Sequence, residues 1–205
     1  MSIVEMPARF ASYEEFEKAK LLCRDCPIGP VYNRVVPSLG QKINPKVVLI
    51  GESPGENEVK QGEPFCGRSG KLLRQVLNEL GFRRENTLIT NTIPCRPKDN
   101  HFPDDDSIVH KCVGRWLKEE ISLVQPEVIG IIGGVALRYV LRLKGITKQR
   151  GQWFSFDANN IEVPCMPTFH PSYVIRVENE GNVECYQQFY DDLKAIAVRA
   201  GIYAG

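Results

Sequence analysis

Two hydrophobic patterns alternate along the chain. Short unbroken apolar runs occur at Val47-Val48-Leu49-Ile50, Thr87-Leu88-Ile89-Thr90, Val128–Ile132 and around Met166–Phe169. Runs this short, rich in β-branched residues and bounded by glycine, proline or polar residues, predict strands buried on both faces of a parallel sheet. Between them apolar residues recur at helical spacing. One such stripe holds Leu72, Leu73, Val76, Leu77 and Leu80 and is closed by Gly81. A second repeats at 108, 109, 112, 113, 116, 117 and 121, a third holds Leu137, Val140 and Leu141, and a last one holds Tyr186, Phe189, Tyr190, Leu193, Ile196 and Ala197. The pattern Ser12-Tyr-Glu-Glu15 is a capping box that predicts a first short helix through Phe16, Ala19 and Leu22. Residues 28–45 have no clear period, 144–152 form a basic loop, and Trp153–Val163 reads as a hairpin preceding the fourth strand. Strands alternating with helices require a mostly parallel, four-stranded sheet covered on both faces.

Composition narrows the class. With 205 residues, 42% of them hydrophobic, the chain suits one globular domain over 1–205. No apolar run is long enough for a transmembrane helix, and the first residues lack the layout of a signal peptide, so an intracellular, cytoplasmic protein is expected, with no membrane partner. A net charge of +1 gives no global argument for nucleic acid, although Lys and Arg bunch at Arg68/Lys71/Arg74, Arg83/Arg84 and Lys144/Lys148/Arg150.

The segment from Val47 to Lys71 carries the most chemistry. Its strand stops at Gly51, and the loop that follows leaves the strand's carboxyl end, where open α/β sheets bind ligands. That loop holds the carboxylates Glu52, Glu56 and Glu58, the aromatic Phe65, and a return through Gly67, Arg68 and Gly70. Gly51-x-x-x-Gly55 matches neither the dinucleotide fingerprint nor a P-loop. On spacing alone the segment reads as an ordinary βα turn.

Seven cysteines in a protein of this class do not make a disulfide framework. Cys23-x-x-Cys26 sits in a turn bounded by Pro27, while Cys95 and Cys112 are distant singles, the latter on an apolar helical stripe. Thiolates suit zinc and iron–sulfur clusters alike, and spacing does not choose between them, a redox pair, or plain burial. Cys66, Cys165 and Cys185 read as buried spares.

Together these pieces resemble the family 4 uracil-DNA glycosylases, the iron–sulfur branch of the uracil-DNA glycosylase superfamily. The resemblance rests on Gly51-Glu-Ser-Pro-Gly-Glu-Asn-Glu58, Gly62-Glu-Pro-Phe65-Cys-Gly-Arg-Ser-Gly70-Lys-Leu-Leu73, Ile89-Thr-Asn91, Cys95-Arg-Pro97, Ile146–Gly151 and His170-Pro-Ser-Tyr-Val-Ile-Arg176, in the family's order over about residues 10–200. Cys66, His101 and Tyr173 stand where the family usually has other residues.

The resemblance implies a three-layer α/β/α fold and a 4Fe–4S cluster held by Cys23, Cys26, Cys95 and Cys112. It also implies a monofunctional base-excision glycosylase that hydrolyses the N-glycosidic bond of a flipped uracil in single- or double-stranded DNA and leaves an abasic site. Uracil binding then falls to Gly51, Glu52, Ser53, Phe65, Asn91 and His170. Phe65 would stack on the ring, and Asn91 would read the pyrimidine edge. His170, with backbone N–H groups near Glu52 and Ser53, would stabilise the leaving anion. Glu52 or Glu58 would serve the sugar cation and the water, Glu52 being preferred for its place directly after the strand. Pro171, Ser172 and the apolar Val174-Ile175 would press into the duplex, with Arg176 near phosphates. A monomer is expected. The competing readings are a glycosylase for another deaminated base such as hypoxanthine, a non-catalytic iron–sulfur DNA-binding module, and an iron–sulfur redox protein.

Overall fold

The computed structural model describes residues 9–28 and 34–203; the amino terminus and part of the irregular 28–45 stretch fall outside them. Six strands form one sheet: β1 (Leu39–Gly40), β2 (Val47–Gly51), β3 (Thr87–Asn91), β4 (Val128–Ile132), β5 (Phe154–Ala158) and β6 (Ile161–Thr168), in the order β1-β3-β2-β4-β6-β5. The inner four, β3-β2-β4-β6, are parallel and contain the four expected runs. The count of four is corrected by two antiparallel edges, β1 on β3 and β5 on β6. The hairpin joins the sheet because its second arm and the fourth apolar run are one strand, β6.

Helices cover both faces. They are α1 (Tyr13–Leu21), α2 (Glu56–Gln61), α3 (Arg68–Glu79), α4 (Asp106–Cys112), α5 (Lys118–Val124), α6 (Gly134–Val140), α7 (Ile146–Gln149), α8 (Pro171–Asn179) and α9 (Glu184–Arg199). Successive strand residues point to opposite faces. Val48 and Ile50 of β2 therefore pack in one core with Val109, Leu117 and Ile121 of the α4–α5 side, while Val47 and Leu49 pack with Leu73, Val76, Phe189 and Leu193 of α3 and α9. Two cores separated by a sheet make the three-layer α/β/α arrangement. Among the described residues no helix is long and apolar enough to cross a membrane.

Two helices differ from their patterns in useful ways. Ser12 caps α1 by accepting the Glu15 N–H at 3.2 Å, and the Glu15 carboxylate takes the Ala11 N–H at 2.9 Å. Leu22, expected on the buried stripe, is 77% exposed, and Lys20 is buried in its place. The long stripe from 108 to 121 is no single α-helix either. A π-helical turn, Val113–Leu117, separates α4 from α5 directly after Cys112. Such turns recur at functional sites.

Lys20 is buried because Glu120 of α5 waits for it. The Glu120 carboxylate accepts from Lys20 Nζ at 2.8 Å, Tyr13 Oη at 2.7 Å, Ser38 Oγ at 2.6 Å and Thr90 Oγ1 at 3.0 Å. Burial alone would raise this carboxyl, but the Lys20 ammonium and the hydrogen bonds outweigh it and hold the group below the usual carboxylate range. The hub ties α1, which leads into Cys23, to β3, which ends in Asn91.

Candidate active site

At the carboxyl ends of β2 and β3 the register sets Gly51 beside Asn91. Gly51 has no side chain where one would collide with its neighbours. A Cβ there would fall 2.6 Å from Phe65 Cζ and onto Asn91 Oδ1. The glycine thus lets an aromatic ring and an amide converge on one point. The Thr92 N–H and hydroxyl both donate to the Gly51 carbonyl, at 2.8 and 2.7 Å, and fasten the end of β2 to the chain beyond Asn91. Asn91 is 8% exposed, and its amide has no hydrogen-bond partner among the described residues. No buried side-chain nitrogen or oxygen among the described residues lacks a partner, so the small exposed part of Asn91 is its amide, open to an incoming hydrogen-bonding group.

Phe65 is buried with φ of 53°, a region side chains rarely adopt. Two features hold it there. Gly70 makes room, since a Cβ at that position would fall 2.8 Å from Phe65 Cα and collide with its carbonyl. Glu58, on the short helix α2 that forms within the loop, accepts the Phe65 N–H with Oε1 and the Gly55 N–H with Oε2. Both carboxylate oxygens of Glu58 are therefore engaged by backbone, and its role in the geometry is that of a clamp on the loop.

Glu52 has the opposite surroundings. It is partly buried, no hydrogen bond or ion pair engages its carboxylate among the described residues, and burial raises its pKa above the usual value. The backbone N–H groups of Glu52 and Ser53 likewise donate to no backbone acceptor among the described residues. A half-buried carboxylate without a partner beside two free N–H donors can serve a developing cation on one side and an anion on the other.

His170 enters from the end of β6. It is the N-cap of α8, with Pro171 in the first helical position, where a missing N–H costs nothing. The Ser172 N–H donates to His170 Nδ1 at 3.2 Å, and Ser172 Oγ lies 2.6 Å from the same nitrogen. With Nδ1 accepting, the hydrogen of the neutral ring is assigned to Nε2. Burial pushes the imidazole down to about 4, so it is neutral at physiological pH and still a donor. Its ring centroid is 6.1 Å from that of Phe65. Gly133, at φ of 96°, allows the close approach, because a Cβ there would stand 2.9 Å from His170 Cβ. Behind it, Thr168 donates to Asp192 of α9 at 2.8 Å, and Arg150 grips the same carboxylate at 2.5 and 2.8 Å. Arg150, grouped in the sequence with a basic surface loop, is thus part of a buried brace beneath His170.

The α8 residues divide. Val174 is fully buried in the core, so the expectation that it presses into a duplex does not hold. Pro171 is buried too, Ile175 is half-buried, and Ser172 and Arg176 are exposed. Tyr173 packs 5.2 Å from Phe169 and lies under the Arg176 guanidinium at 5.3 Å, turned onto the protein. His101 is exposed in the loop before α4, and Cys66 is half-exposed, unlike the buried Cys165 and Cys185.

The sequence profile of the uracil-DNA glycosylase superfamily matches residues 37–194. The chain belongs to that superfamily. A type-4 uracil-DNA glycosylase of Thermotoga maritima is 37% identical over 156 residues, spanning 75% of this chain and 78% of the relative. Those of Sulfurisphaera tokodaii (33% identical, 78% and 74% of the two chains) and Archaeoglobus fulgidus (31%, 80% and 83%) match at similar length. The superfamily's matched region contains all of the pocket residues above, and Cys95 and Cys112 as well.

Four of the cysteines lie near one another, away from this site. Cys23, Cys26 and Cys112 line a half-open pocket of about 470 Å³ with Arg115 and Trp116. Cys95 is fixed nearby by the Val35–Cys95 bridge. Burial, and after it the charges of Cys26 and Cys23, push the Cys95 thiol up to about 12, and Cys112 is raised by burial and by the other three thiols. Three of these thiols line the pocket and Cys95 lies close enough for its charge to be felt, and thiolates are the ligands soft metals take. Among the described residues no group of three or more His, Cys, Asp or Glu side chains is arranged to hold a metal ion.

Proposed function

We propose that the chain hydrolyses the N-glycosidic bond of uracil in DNA, leaving an abasic site and making no strand cut. The observation that carries the reading is the convergence on Gly51 of a free Asn91 amide and the Phe65 ring, with neutral His170 beside the ring, in a member of this superfamily. A uracil flipped from the stack lies against Phe65. Asn91 Nδ2 donates to the 4-carbonyl and Oδ1 accepts the N3 hydrogen. Cytosine reverses both groups and leaves two buried polar atoms opposed.

As the bond to deoxyribose breaks, negative charge grows on the base and positive charge on the sugar. His170 Nε2–H and the free N–H groups after Gly51 receive the first. Glu52 stabilises the second and holds the attacking water. Glu52 takes this part in preference to Glu58, whose oxygens are engaged by the loop backbone. Ser172 and Arg176 are the exposed α8 groups placed for phosphates, and buried Pro171 sets their direction.

Cys23, Cys26, Cys95 and Cys112 would hold a 4Fe–4S cluster, whose thiolate bonds cross-link the end of α1, the segment after Asn91 and α4. Hydrolysis of the glycosidic bond transfers no electron, so the group's contribution is structural. The protein acts as an intracellular, single-domain monomer on single- or double-stranded DNA.

The test is excision from an oligonucleotide with one uracil, single-stranded or opposite guanine, with hot alkali revealing abasic sites. Cleavage that disappears in Asn91→Ala and His170→Ala supports the reading. No cleavage by folded, cluster-loaded protein overturns it; cleavage of a hypoxanthine substrate instead would redirect it to another deaminated base.

A further inference from the structure

Beside the pocket, α4 and the end of α6 enclose a groove of about 560 Å³ lined by His110, Lys111, Arg138, Arg142 and Lys144, with Asp106 as its acidic member. The charges there do not cancel. Asp106 is already occupied, accepting from Arg138 Nη2 at 2.5 Å and from the Tyr139 hydroxyl at 2.6 Å. Among the described residues Lys111, Arg142 and Lys144 are hydrogen-bonded to no carboxylate. Lys111 lies in the field of Asp105, yet Lys111, Arg138, Arg142 and Lys144 outnumber Asp105 and Asp106, a basic excess on a chain whose net charge is +1. Arg142 is held at φ of 58°, outside the helix that precedes it.

The groove adjoins the pocket through Tyr139. Its ring stacks on Phe102 at 5.5 Å and 14°, its hydroxyl donates to Asp106, and the helix that carries it, α6, has its N-cap, Gly133, against His170.

We propose that this groove holds phosphates of the DNA strand that carries the uracil, beyond the flipped nucleotide. The inference rests on the glycosylase reading for the identity of the strand, and on the groove alone for the phosphates. Each phosphate neutralised releases condensed counterion, so the groove adds to the salt dependence of binding.

The experiment measures binding of an abasic-site single-stranded oligonucleotide by the full, cluster-loaded chain across a salt series. The protein is compared with Lys111→Ala/Arg142→Ala/Lys144→Ala and with a control that removes the same charge elsewhere, Lys18→Ala/Lys46→Ala/Lys194→Ala. A slope of log K against log salt about 2 smaller in the groove variant only, as expected from roughly 0.7 per contact on single strands, supports the proposal. Lys111→Arg/Arg142→Lys/Lys144→Arg, which keeps the charges, must then retain the parent slope and guards against misfolding of the alanine variant. Equal slopes in parent and alanine variant overturn the proposal, and so does an equal loss in the control. A parent that excises no uracil fails the glycosylase reading separately, and the slopes on undamaged strands still decide the groove. Oligonucleotides extended on only one side of the uracil show which flank enters it.

Discussion

Glu52 and Glu120 are both acidic groups withdrawn from water, yet their surroundings are opposite. Glu120 collects four donors from three other parts of the chain and is held in its charged form. Glu52 has no partner among the described residues, and burial raises its pKa. A buried charge that is paired and fully hydrogen-bonded belongs to the architecture, and removing its partner is expensive. One left half-desolvated carries a cost that folding does not recover, and that cost is tolerated where charge appears during a reaction. Glu58 stands between the two, with its oxygens on backbone and its position in the pocket loop.

The largest expected effect is on stability. Glu120→Ala strands the Lys20 ammonium in the interior and should cost about 3–5 kcal/mol in urea unfolding. A variant within about 1 kcal/mol of the parent would show that the hub is less closed than its hydrogen bonds indicate.

Glu52→Gln sharpens the contrast from the other side. It removes a charge without removing a hydrogen bond, so the unfolding midpoint should hold or rise. Single-turnover excision should fall about 10²–10³-fold, the range found when a group serving transition-state charge is removed. A large loss of stability with unchanged excision would reverse the two roles.

The pH profile follows from the same carboxylate. Glu52 must be ionised to act, and its pKa is raised above the ordinary 4.5, while His170 stays neutral down to about 4. On acidification Glu52 is therefore the first of the two to take up a proton, and excision declines at a pH above 4.5. The residual activity of Glu52→Gln should lack that decline, whereas Ser172→Ala should leave it in place.

Glu58→Gln comes next. The amide keeps one acceptor for two N–H groups, so about 1.5–3 kcal/mol of loop restraint is at stake. KM for a uracil oligonucleotide should rise more than kcat falls. The smallest effect is Thr90→Val, which removes one of the four donors to Glu120 next to Asn91 and should cost about 1 kcal/mol in unfolding.

The inner strands were legible in the sequence because unbroken β-branched runs have few alternatives. The edges were not. Leu39–Gly40 is too short for any periodicity, and β5 reads as part of a separate hairpin because Pro164 and Pro167 interrupt its partner β6. Gly51, Phe65, Asn91 and His170 drew attention only as motifs in one family's order, because singly each reads as a turn, core or strand-end residue, and the structure brings them together at the ends of β2, β3 and β6. What Glu58, Arg150 and Glu120 do was not legible, because each meets partners fixed only by tertiary packing. An acidic residue on a helical stripe reads as surface until Lys20 arrives from a hundred positions away.

The brace of Arg150 and Thr168 on Asp192 has a consequence for the order in which the chain is made. Asp192 belongs to α9, which follows all six strands in chain order, so the strand end that carries His170 is anchored only after α9 has been made. The half of the pocket built from β2 and β3 has all its backbone contacts long before that moment. A nascent chain can shape a resting place for the base early, but the hydrogen that accompanies the base's departure is supplied only once α9 docks.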